Sequence, residues 1–128
     1  MPVQSAKRKA LPLLLALLIV TQVAWPSDWG ALLSGKAITD LNEDDLRDHL
    51  AAVNALLEAP LPAAPVEWSN PQTGAGGRLE VIGRPHIEGF AECRRVRTSV
   101  HSRKYKAETR TWTACRGADG EWGLTKGT

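Results

Sequence analysis

The chain has 128 residues, with sixteen basic and fourteen acidic side chains and a formal charge of +2. That length holds one domain, and a balance so near neutral excludes the strongly basic composition of a typical nucleic-acid binder. Two cysteines exclude a four-cysteine zinc site, and His49, His86 and His101 show no metal-ligand spacing.

The chain opens MPVQSAKRKA-LPLLLALLIV, with Lys7, Arg8 and Lys9 ahead of an apolar run from Leu11 to Val20. This order predicts an export signal over residues 1–24, either cleaved or kept as an anchor. A buried core helix with a basic start is the alternative. The run holds ten residues before Thr21 and Gln22, short of the about 20 that a spanning helix needs. No cysteine follows it, so lipid attachment of the lipoprotein kind is not expected. Any membrane contact is expected through this segment alone, if it is uncleaved.

Losing Lys7, Arg8 and Lys9 would leave a net charge of −1. The remainder is asymmetric. Residues 27–66 carry two basic and seven acidic side chains, whereas residues 67–128 carry eleven basic and seven acidic.

Residues 25–38 read as a tether, ahead of a domain over 39–124. Within TDLNEDDLRDHLAAVNALLEAP, Thr39 or Asp40 can cap a helix with acidic residues in its first turn. Leu41, Leu46, Leu50, Val53, Leu56 and Leu57 predict one apolar stripe, and Pro60 and Pro62 end the helix. APLPAAP is an extended connector. VEWSN reads as a strand, PQTGAGG as a loop and RLEVIG as a strand. IEGFAECRRVRTSVHS and KYKAETRTWTACRG are two long β-like runs, and EWGL is a short last one. The expected fold is α+β, with one amphipathic helix packed on an antiparallel sheet of about four to five strands.

If the two long runs form one hairpin turning near Lys104, residues whose numbers sum to 208 face each other. Cys93 then faces Cys115, close enough for a disulfide, which an oxidising compartment favours. Free buried thiols and a reactive cysteine are the alternatives. There is no C-x-x-C motif.

The same hairpin carries Arg94, Arg95, Arg97, Arg103, Lys104, Lys106 and Arg110. They form a candidate anion-binding surface, for lipopolysaccharide phosphates, glycan carboxylates or an acidic protein. The competing readings are solvated strand positions that block edge aggregation, and pairing with the acidic helix within one molecule or between two. Interleaved aromatics are sparse, so no nucleic-acid partner is expected. Trp68, Trp112 and Trp122 are expected as core anchors, with carbohydrate stacking by one of them as the alternative, and Asp119-Gly120 as a turn. No catalytic motif such as G-x-S-x-G appears, and neither an enzymatic activity nor a cofactor is expected.

Three segments together resemble the 17 kDa outer-membrane surface antigen family of Gram-negative bacteria. They are W-x-N-x-x-T-G-x-x-G at Trp68, Asn70, Thr73, Gly74 and Gly77; C-R at Cys93 and Arg94; and A-C-R-x-x-D-G-x-W from Ala114 to Trp122. The resemblance covers about residues 39–124. It implies an envelope protein known mainly as an antigen, often a lipoprotein, with no established activity or cofactor. This chain lacks the lipobox cysteine and the glycine-zipper segment of longer members. The expected role is therefore structural or binding, in the periplasm or at the outer membrane. Lipopolysaccharide, peptidoglycan or an outer-membrane protein would be the partner. The alternative is a periplasmic accessory or inhibitor acting through the basic hairpin.

Overall fold

The computed structural model describes residues 27–125, and the export signal expected over 1–24 lies outside them. No helix among the described residues is long and apolar enough to cross a membrane.

Residues expected as a tether instead form a 3-10 helix at Ser27–Leu33 and a four-residue helix α1 at Lys36–Thr39. Leu32, Ala37 and Ile38 are buried. Trp29 meets Trp112 edge-on, with ring centroids 6.2 Å apart. The spacing of Trp29, Leu32, Leu33, Ala37 and Ile38 explains the difference, because these side chains join the apolar clusters on the sheet.

Helix α2 spans Glu43–Glu58. Its N-cap is Asn42, not Thr39 or Asp40. Asn42 Oδ1 accepts from the Asp45 N–H at 2.8 Å, and Asp45 Oδ2 accepts from the Asn42 N–H at 3.1 Å. This reciprocal pair satisfies two donors that the first helical turn leaves open. The Thr39 hydroxyl is already used, donating to the Gly35 carbonyl at 2.8 Å. At the other end Ala59 is extended (φ −69°, ψ 142°), as a residue before proline prefers.

Five strands follow: β1 at Val66–Asn70, β2 at Ala75–Gly83, β3 at Glu92–His101, β4 at Glu108–Arg116 and β5 at Trp122–Thr125. Each pairs antiparallel with the next, in the order β1-β2-β3-β4-β5. β2 starts three residues earlier than the sequence suggested, because Ala75, Gly76 and Gly77 pair with Asn70, Ser69 and Trp68. β3 starts later, at Glu92, since Gly89 takes a positive φ of 94°.

One face of the sheet receives the helices. Ala52, Val53, Leu56 and Leu57 of α2 pack against Leu79, Val96, Ala114 and Trp122. Ala37 and Ile38 pack against Val100. Side chains alternate along a strand, so Arg78, Glu80, Arg97 and the Cys93–Cys115 disulfide occupy the opposite face. The β3–β4 register is the one inferred from the sequence, with Cys93 opposite Cys115, Arg95 opposite Thr113 and Arg97 opposite Thr111. The two half-cystines are bonded with their Cα atoms 4.0 Å apart.

Because the crosslink closes a loop in the unfolded chain, the double substitution C93A/C115A should lower folding stability by roughly 3 kcal/mol. Urea titrations of both proteins measure this directly, and reduced wild type should resemble the variant. A loss below about 1 kcal/mol would show that the sheet does not depend on the crosslink.

Candidate functional site

The residues of the first motif converge on helix α2. Asp45 is 2% exposed. Its Oδ1 accepts from Asn70 Nδ2 at 2.8 Å and from the Thr73 hydroxyl at 2.7 Å. Asn70 and Thr73 bracket the β1–β2 turn. The Asn70 carbonyl accepts from the Gly74 N–H at 2.8 Å, and Gly74 supplies the positive φ, 80°, that the turn requires. Thr73 Oγ1 also accepts from the Ala75 N–H at 3.2 Å. One carboxylate thus caps the helix and pins the turn, and hydrogen bonds to an ionised acceptor are the strong ones.

One helical turn further on, His49 is fully buried. Its Nδ1 accepts from Trp68 Nε1 at 3.2 Å, which leaves the imidazole proton on Nε2. That nitrogen has no hydrogen-bond partner among the described residues. Burial lowers the His49 pKa from 6.5 to about 4, because charging a desolvated ring is unfavourable. Gly77 lies beneath the same indole, and a Cβ there would stand 2.5 Å from Trp68 Nε1. The last glycine of the motif is needed for that close approach.

The other two motif segments meet at the far end of α2. Arg94 was counted among the anion-binding cations, but it is 5% exposed. Its Nη1 donates to the Leu56 carbonyl at 2.8 Å and its Nε to Glu92 Oε2 at 2.8 Å. Arg116 Nη2 reaches Glu58 Oε1 at 2.8 Å. Both guanidiniums lie over the buried Trp122 ring, at 5.4 Å for Arg94 and 4.7 Å for Arg116. The last turn of α2 has no basic residue of its own. The sheet supplies cations to a helix end whose free carbonyls are partially negative. Asp119 Oδ1 accepts from the Glu121 N–H at 3.0 Å, and Gly120 has φ +83°, which turns the chain into β5 and delivers Trp122.

The remaining cations do not form one surface. Arg97 pairs with Glu80 at 3.1 Å on the face away from the helices. Arg95 shares that face without a salt bridge among the described residues. Arg110 lies on the helix side, close to Gly35, where the neighbouring Glu108 accepts from the Ala37 N–H at 2.8 Å. Arg103, Lys104 and Lys106 are exposed in the β3–β4 turn. Ser102 Oγ fixes that turn by accepting from the Tyr105 N–H at 3.0 Å. None of the three has an acidic partner among the described residues. Trp112 bonds Thr98 Oγ1 at 2.7 Å and packs against the main core. No group of histidines, cysteines and carboxylates fit to hold a metal occurs among the described residues, and neither cysteine is free.

These features define a small α+β module: an antiparallel meander with helices on one face, stapled by a disulfide and tied to its helix at both ends by buried polar groups. A family model described as the 17 kDa outer membrane surface antigen matches residues 55–123, and the chain belongs to that family. With membership comes an association with the cell envelope. Asp45 and His49, which the motif residues ligate, lie ahead of the matched span. Among curated proteins and solved structures, none matches the chain.

Asp45→Ala would orphan Asn70 Nδ2, take from Thr73 Oγ1 its shortest hydrogen bond and remove half of the capping box. It should cost about 3 kcal/mol by urea unfolding, and a cost below about 1 kcal/mol would contradict this geometry. His49 gives a pH signature. The unfolded chain takes up the imidazole proton near 6.5, while the folded chain holds it off until about 4. The contribution is therefore complete above pH 6.5 and is lost as pH falls through that window, by about 3 kcal/mol in full. Urea midpoints from pH 7 to 4 should show a slope that His49→Gln lacks, whereas equal slopes in the two proteins would contradict the assignment.

Proposed function

We propose that the protein is a non-catalytic structural or binding module of the cell envelope, exported and retained in the periplasm or at the outer membrane. We further propose that it meets an anionic envelope component through the tip of the β3–β4 hairpin. One observation carries this reading. Arg103, Lys104 and Lys106 project from a turn held by Ser102 and make no salt bridge among the described residues, whereas Arg94, Arg97 and Arg116 are each engaged within the fold. Three cations without an acidic partner among the described residues, one of them (Lys104) over the Tyr105 ring at 5.9 Å, form a local positive field suited to phosphate or carboxylate groups. Lipopolysaccharide phosphates are the first candidate ligand. Joining of the two cysteines to each other supports the non-catalytic reading over a thiol enzyme.

The triple charge reversal R103E/K104E/K106E should weaken binding to lipopolysaccharide-bearing vesicles at least tenfold, with the unfolding midpoint unchanged. Wild-type binding should also weaken as salt rises, because exposed charges are screened. Equal binding by wild type and variant would overturn the assignment of the tip.

A further inference from the structure

A second candidate site lies far from the hairpin tip, where the Leu61–Ala63 connector passes the end of β2. A groove of about 290 Å³ runs between them, lined by Leu61, Pro62, Ala63, Val81, Gly83 and Arg84. Its walls are aliphatic apart from one cation. A β-bulge puts that cation there. Val81 pairs with Val96, the next pair is Gly83 with Arg95, and Ile82 is left over between them. Without the bulge, alternation would send Val81 and Arg84 to opposite faces of the sheet. The extra residue shifts the alternation by one and returns Arg84 to the side of Val81, as bulges do when they re-aim a side chain. Ile82 is left 37% exposed as a consequence. Arg84 is exposed and makes no salt bridge among the described residues. Arg84 also lines a crevice under the β2–β3 loop.

We propose that this groove binds the end of an aliphatic chain that carries a carboxylate, with the chain between Leu61–Ala63 and Val81 and the carboxylate on Arg84. The charge decides the class of ligand. A single unpaired guanidinium matches one monoanionic group through its two-pronged donor edge, and the rest of the lining offers an apolar chain its preferred surroundings. The volume suits a short stretch of chain, not a whole lipid.

The test is a titration of the full-length protein with sodium decanoate below its micelle concentration, followed by amide NMR shifts. Shifts localised to Leu61, Ala63 and residues 81–84 are expected. Arg84→Glu, a surface change, should weaken binding at least tenfold, and Ala63→Leu should do the same by filling the groove. An unchanged disulfide and unfolding midpoint would show that both variants keep the fold. If Ala63→Leu fails that check, Arg84→Gln should still weaken decanoate without altering stability. Decanol, which lacks the charge, and butyrate, which lacks the chain, should each bind at least tenfold more weakly. Absent or delocalised shifts, or decanol binding as well as decanoate, would overturn the proposal. Tighter binding of decyl phosphate than of decanoate would overturn the carboxylate assignment.

Discussion

The carboxylate of Asp45 is where the helix and the sheet become one structure. It sits in the first turn of α2, accepts from the Asn42 backbone, and accepts from Asn70 and Thr73 on either side of the β1–β2 turn. A buried carboxylate is costly unless its lone pairs are filled, and here three donors fill them. The turn must therefore take the shape that delivers Asn70 and Thr73 together. That shape requires Gly74 at positive φ and brings Trp68 over Gly77 onto His49. The helix cap, the turn and the indole contact follow from one acceptor.

The opposite end of α2 uses the reverse polarity. The Leu56 carbonyl and Glu58 face guanidiniums from β3 and β4, both of which lie over the Trp122 ring. Between these polar ends, Ala52, Val53, Leu56 and Leu57 supply the apolar contact with the sheet. The helix is thus fixed in rotation by its ends and in depth by its middle. Most residues of the three motif segments are engaged with one another or with α2. Surface chemistry is left to positions outside the motifs, such as the β3–β4 turn and the end of β2.

Strand pairing was the most legible part of the sequence. Two runs of alternating residues with a cysteine in each leave few registers, and the sum of 208 selects one. The helix was legible in position but not in rotation. The leucine pattern placed Leu46 and Leu50 on the inner stripe, yet both are half-buried, and Asp45 and His49 take the inner positions in the first half of α2. A polar residue buried by partners 25 or more positions away, as Asp45 is by Asn70 and Thr73, leaves no local trace. Arg94 misled for the same reason: alternation alone marks it as facing the helix, but only the carbonyl of Leu56 explains why a cation can stay there. Residues 25–38 read as a tether because the apolar side chains within them are spaced for two short helical turns, not one long helix.

The central claim is that Asp45 and the β1–β2 turn act as one unit. A double-mutant cycle between Asp45→Ala and Asn70→Ala, read by urea unfolding at neutral pH, tests it most directly. Groups in one hydrogen-bond network are coupled, whereas independent sites add to within about 0.5 kcal/mol. This structure predicts a coupling of at least about 1 kcal/mol, with the double variant losing less than the two single losses combined. Simple additivity would mean that the helix and the turn are stabilised separately, and would contradict the account.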